Sequence, residues 1–239
     1  MRLPRDLLAS AVAFAVVGVR ANTEIVNFVV SPGRDADLPL IAAWPELLPH
    51  DHERLVSVQP APVDTPITNV CEPITAASLG KCPHEQWLSL GLDHPAWVSY
   101  AKFTLRVMWP ASHPTDFYID TYTPEALAKS VHGDRASDYV HPAGQGTRRM
   151  FARIRVVSGG VLTPGASHNA TLQPVSFIVT LEPLLFGVLP GSVIPTVACL
   201  LFVGLAAGFL VFPRVSRYLG SVADLVRTEE TVVRSRKET

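Results

Sequence analysis

Residues 184–212 read LLFGVLPGSVIPTVACLLFVGLAAGFLVF, and no charged residue lies between Glu182 and Arg214. A helix needs roughly 20 mainly apolar residues to cross a hydrocarbon core of about 30 Å. Residues 193–212 supply that length, after the break at Leu189-Pro190-Gly191. The competing reading is the core helix of a water-soluble domain, but an uninterrupted apolar run of this length fits the spanning rule better. Ser192 is the expected N-cap, and Pro195 falls in the first turn, where its missing N–H costs little.

The flanks orient the span. Arg214 and Arg217 follow it at once, and Arg227, Arg234, Arg236 and Lys237 come later, whereas the nearest upstream Lys or Arg is Arg155. Basic residues stay on the cytoplasmic side, so the tail is expected in the cytosol and the rest across the membrane. The N-terminus agrees. Arg2 and Arg5 precede a short apolar run, residues 7–19, and Val19-Arg20-Ala21 is a small-x-small cleavage site. These are the parts of a signal peptide cleaved after Ala21; the alternative is an uncleaved anchor. The expected order is therefore signal peptide 1–21, lumenal β-rich domain 22–183, pre-membrane segment 184–191, transmembrane helix 192–212 and cytosolic tail 213–239, a single-pass type I arrangement.

Of 239 residues, about 160 remain outside the signal, span and tail, a normal size for one domain. The formal charge of −1 and pI near 6.7 give no support to nucleic-acid binding. The 21 prolines disfavour long helices and suit short strands with irregular loops. Residues 22–30, 55–58, 96–109, 116–122, 150–157 and 175–181 read as strands. In the third, Trp97, Phe103, Leu105, Val107 and Trp109 share one face and Lys102, Thr104 and Arg106 the other. It is expected to pair with 116–122 as a hairpin. Residues 34–66 read as a long loop over the core and 124–131 as a short helix. This pattern predicts a mainly β, sandwich-like domain followed by one C-terminal transmembrane helix.

Cys71 and Cys82 are the two cysteines between signal and span, and an oxidising lumen permits their disulfide; two free thiols are the alternative. Cys199, inside the span, reads as a small packing residue. Asn169-Ala170-Thr171 is a glycosylation acceptor on the lumenal side. Gly204 and Gly208 form a G-x-x-x-G pattern that lets a second helix approach closely, although glycine is common in membrane helices anyway.

Catalytic chemistry is thin. Asp35-Ala36-Asp37 has a spacing suited to a hard divalent cation, but no βαβ pattern precedes it, and a solvated loop is the plainer reading. His50-Asp51-His52-Glu53 offers both rings to one side if it lies on a strand, yet is too short for a full ligand set. The nucleophile elbow, P-loop and zincin patterns are missing from the sequence. No catalytic residue, metal site or cofactor site is assigned. A GPI-anchored product is excluded, because a charged tail follows the apolar run. Arg236 and Lys237, near the C-terminus, resemble the dilysine signal that returns membrane proteins to the endoplasmic reticulum, with arginine in place of the first lysine.

The layout, the block Cys82-Pro83-His84-Glu85-Gln86-Trp87 through Trp109-Pro110, and Phe186-Gly187-Val188-Leu189-Pro190 resemble the non-catalytic subunit of fungal GPI mannosyltransferase II. The resemblance implies residence in the endoplasmic-reticulum membrane. It also implies a multispanning partner enzyme that adds the second mannose to the GPI precursor, with dolichol-phosphate mannose as donor. Two further readings are the accessory subunit of the first GPI mannosyltransferase, which has a similar plan, and a lumenal cargo receptor or binding module.

Overall fold

The computed structural model describes residues 21–36, 38–140, 146–160 and 173–237. The chain divides into two compact units, Met1–Pro190 and Gly191–Thr239. In chain order the elements are β1 (Ala21–Val29), β2 (Gly33–Arg34), β3 (Glu46–Leu47), β4 (Glu53–Val58), β5 (Glu85–Leu90), β6 (Lys102–Pro110), β7 (Thr115–Tyr122), α1 (Pro124–His132), β8 (Gly146–Thr147), β9 (Met150–Ser158), β10 (Val175–Leu185), β11 (Leu189–Pro190), α2 (Ile194–Ala206) and α3 (Phe212–Lys237).

The first unit is a mainly β sandwich. One sheet runs β1-β6-β10-β11, with β4 also paired to β10; the other runs β3-β5-β9-β7, and β2 pairs with β8 apart from both. β6 turns its expected apolar face inward: Phe103, Leu105, Val107 and Trp109 are buried, and Thr104 on the other face is buried too. They meet Leu88, Leu90, Ile154, Val156, Phe177, Val179 and Leu181 in one apolar core between the sheets. Phe117 joins the layers, its ring centroid 4.3 Å from Trp109 of one sheet and 4.9 Å from Phe177 of the same sheet. Trp97 also joins this core, but from a turn, because the strand begins only at Lys102.

The expected hairpin between residues 96–109 and 116–122 does not form. β6 has β1 on one edge and β10 on the other, in antiparallel register through Val107↔Glu24 and Val107↔Val179. Both edges are taken, so the chain crosses to the second sheet after Pro110, and β7 pairs with β9 from Thr115↔Ser158 to Tyr122↔Phe151.

β5 was not anticipated as a strand. It pairs antiparallel with β9, and nearly every residue is buried, so no alternation survives in its sequence. The second sheet is covered on both faces. Its outer side carries Trp87 and Phe151, which pack under Leu38, Ile41, Leu79 and the α1 residues Leu127 and Ala128. The segment expected to be a covering loop, residues 34–66, does supply part of this cover, and also contributes β4 to the first sheet. Helix α1 starts where Thr123 accepts a hydrogen bond from the Ala126 amide (3.2 Å), with Pro124 in the first turn and Gly133 ending it at φ +58°.

The second unit is helical. A stretch of 34 residues, Gly191–Asp224, is long and apolar enough to cross a membrane. At about 1.5 Å per residue it exceeds the roughly 30 Å hydrocarbon thickness. Its start corrects the expected cap: Gly191–Val193 forms a 3-10 turn, so Val193 rather than Ser192 precedes the first α-helical residue, while Pro195 lies in the first turn as anticipated. The helix also continues past Phe212 as α3 through most of the tail. Between α2 and α3, Ala207–Val211 forms a π-turn, with the Phe212 amide bonding the Ala207 carbonyl. Pro213 explains it: proline has no N–H to donate to the carbonyl of Phe209 and its ring crowds that carbonyl, so the helix widens by one residue.

Candidate functional site

Three features outside the main core hold the chemistry of this chain. The first is an ion network on the outer face of β9. Arg153 stands there between Phe151 and Arg155, and its side chain is 1% exposed. Its Nε donates to Glu85 Oε2 at 2.7 Å, Nη1 to Glu72 Oε1 at 2.5 Å and Nη2 to the Cys71 carbonyl at 2.8 Å. The other Glu85 oxygen accepts the Trp87 indole N–H at 2.8 Å, and the guanidinium lies 5.5 Å from the Trp87 ring. Arg155 donates to Asp120 at 2.7 Å and to the Ile67 carbonyl at 2.8 Å.

Burial opposes the Arg153 charge, but the Glu72 hydrogen bond and the charge of Glu85 outweigh it and hold its pKa above the ordinary value. Burial raises the half-buried Tyr122 phenol, Asp120 raises it further, and Arg153 and Arg155 act against the rise. A guanidinium stays protonated throughout, and both Glu85 oxygens are engaged. The cluster is thus a clamp rather than a proton-transfer device. It fastens the loop from Ile67 to Cys82 onto the sheet. Cys71 and Cys82 close that loop by a disulfide, with their Cα atoms 5.7 Å apart.

The second feature, among the described residues, is a set of surface clefts, of which two bear on the expected chemistry. One, of about 300 Å³, lies among Leu38, Ile41, Trp44, Glu46 and Arg149. Asp35, the first member of the acidic D-x-D, ends in an ion pair with Arg149 at 2.7 Å; Asp37 lies outside the described residues. The other, of about 430 Å³, is bounded by Glu24, Trp109, Asp116, Tyr118, Asp120 and Arg155. His50-Asp51-His52-Glu53 forms a tight turn into β4, not a strand, with Asp51 paired to Arg54. The His50 ring approaches His94 instead, 6.1 Å between centroids. Among the described residues no three His, Cys, Asp or Glu side chains gather to hold a metal ion.

The third feature is the helix. Gly204 lies in α2 and Gly208 in the π-turn, and a Cβ built on either meets open space. Cys199 is exposed on the same helix, with a free thiol. Arg214 marks the end of the apolar run and folds back to donate to the Leu210 carbonyl at 2.7 Å, reaching along the helix as long basic side chains do near a membrane boundary. Arg236 and Lys237 close α3. Asn169 and residues 1–20 of the expected signal peptide lie outside the described residues, and Ala21, after which cleavage was expected, is the first residue of β1, opposite Pro110.

Sequence reading missed Arg153, Glu85 and Glu72 as a unit. The available signal was a pair of arginines, Arg153 and Arg155, within a strand whose neighbouring residues are apolar. It also passed over the turn at Phe186, where φ is +53°, a left-handed conformation that costs a residue with a Cβ about 1–2 kcal/mol.

No protein-family model, curated protein or solved structure matches the chain.

Proposed function

We propose that the chain is a non-catalytic accessory subunit of the endoplasmic-reticulum GPI mannosyltransferase II complex, supporting addition of the second mannose to the GPI precursor. The β domain is lumenal, the tail cytosolic, and the chain holds a multispanning catalytic subunit through its membrane helix. Dolichol-phosphate mannose belongs to that partner's chemistry.

The observation that carries this reading is the helix. It is apolar over a membrane-spanning length, and Gly204 and Gly208 stand four residues apart in it with open space before them. Small residues at that spacing let another backbone approach closely, where packing and weak Cα–H contacts supply the attraction. The resembling segments support it further. Cys82, Glu85 and Trp87 belong to the clamp that fastens the disulfide loop, so those positions answer to the shape of the lumenal domain.

The test is recovery from membranes in mild detergent. The tagged chain is expected to bring down the multispanning second-mannose enzyme. Gly204→Leu with Gly208→Leu preserves length and hydrophobicity and is expected to lower that recovery at equal expression. Recovery of the first-mannose enzyme, or of soluble glycoprotein cargo, contradicts the assignment.

A further inference from the structure

β10 and β11 are joined by Phe186-Gly187-Val188, a turn closed by the Gly187 and Val188 amides bonding the Leu184 and Leu185 carbonyls at 3.1 Å each. Phe186 and Gly187 both have positive φ, +53° and +73°. Glycine, asparagine and aspartate suit such positions, whereas a bulky aromatic is an outlier. Phe186 is nevertheless 96% exposed and Val188 75% exposed. The aromatic ring therefore gives the folded domain nothing in return for its strained backbone.

The surroundings point to a use. Register places Val29, itself 60% exposed, opposite Lys102 at this same end of the sheet. The Lys102 stem runs along the turn: a Cβ on Gly187 would stand 3.1 Å from its Cδ and 3.5 Å from its Nζ. A tip of two apolar side chains with an ammonium beside it matches the boundary between lipid chains and headgroups. Chain length limits where the tip can be. Val188 precedes Val193, the first residue of the apolar stretch 193–212, by five residues of chain, at most about 18 Å. The headgroup zone adds several ångströms outside the hydrocarbon.

We propose that the 186–188 turn is a membrane-interface anchor: Phe186 and Val188 enter the lumenal leaflet of the bilayer that the helix crosses, and Lys102 meets lipid phosphate. This rests on the reading of residues 192–212 as a transmembrane helix. Its occupant is lipid, because the tip is tethered to the span and cannot leave the leaflet's vicinity.

The experiment uses the full chain in phosphatidylcholine vesicles, with nitroxide labels on single thiols. Cys71 and Cys82 are bonded to each other and do not react. The native Cys199 reports on the span; Phe186→Cys, Val188→Cys and Leu55→Cys are made in a Cys199→Ala background. Leu55, 72% exposed on β4, is an equally apolar control. Relaxation by oxygen, which concentrates in lipid, is compared with relaxation by a water-soluble nickel chelate. Labels at 186 and 188 are expected to favour oxygen severalfold over the Leu55 label. Phe186→Asn, which suits the turn, should leave the melting transition in place while the 188 label moves toward the nickel reagent. If the 186 and 188 labels match the Leu55 label while the Cys199 label is deep in lipid, the anchor is overturned and the span stands. If the Cys199 label is itself in water, the span fails and the anchor with it.

Discussion

The two sheets of the sandwich differ in what lies over their outer faces. The first sheet leaves Ile25, Asn27 and Leu55 exposed on its outer face, where Thr104, Thr180 and Glu182 of its central strands are buried, and its apolar core lies on the inner face. The second is packed on both sides, against the first sheet and under α1 with the segment around Leu38 and Ile41. This decides how each is written in sequence. Strand β6 alternates Phe103, Leu105, Val107 and Trp109 with Lys102, Thr104 and Arg106 in sequence, although Thr104 is buried. A doubly covered strand such as β5 has no solvent-facing side to show, and the charge it holds must be paired inside. Glu85 of β5 is that charge, and Arg153 of β9 meets it.

The comparison breaks most visibly at Arg153. Replacing it by methionine strands Glu85 beneath the cover, a loss expected to cost about 3–5 kcal/mol. Denaturant unfolding of the full chain, followed through tryptophan fluorescence, measures it. Replacing Arg153 and Glu85 together by apolar residues should recover much of the loss, since an uncompensated buried charge causes it. A double variant as unstable as the single one contradicts the clamp.

Next comes a pair of outward-facing apolar residues, one per sheet. Phe151→Ala should destabilise by about 3–5 kcal/mol. Ile25→Ala, at a residue 54% exposed, should stay within about 0.5 kcal/mol of the parent. Similar losses at both sites would mean the two outer faces are covered alike.

The disulfide sharpens the same contrast, because its loop belongs to the cover of the second sheet. Cys71→Ser with Cys82→Ser should cost about 2–3 kcal/mol, the closure entropy of a short loop. A reductant should lower the parent's melting temperature and leave the double-serine variant unmoved.

The smallest effect is alkaline. Tyr122 is raised above its ordinary value of 10.0 in the fold. Its contribution to stability is complete below that value, where the phenol is neutral in both states. It is lost as pH rises from there through the higher folded value, because the unfolded chain ionises first. Tyr122→Phe should lessen the stability loss above pH 10, measured by denaturant titration alongside tyrosinate absorbance.

The same contrast sets what could be read in advance. β1 was legible as a β-rich run ended by Pro32-Gly33, and β6 by the alternation of apolar and polar residues in its sequence. β9 was legible as the strand 150–157, but not that Arg153 within it is among the most buried side chains of the described residues. The wrong hairpin came from proximity: residues 110–115 look like a hairpin loop, and only the occupation of both β6 edges shows that they carry the chain between sheets. The disulfide was legible by elimination, the span by length. The clamp was not, because its members come from the loop at Glu72, the start of β5 and the middle of β9, and nothing local links them.

The proposed role, sustaining a mannose transfer performed by another subunit, has a direct test. The most direct measurement is the profile of radiolabelled GPI precursors in cells depleted of the chain. Accumulation of a precursor bearing a single mannose, reversed by the parent chain and by Asp35→Asn with Asp37→Asn but not by Gly204→Leu with Gly208→Leu, is the predicted result. An unchanged precursor profile after depletion, or a requirement for the aspartates at normal complex levels, contradicts it.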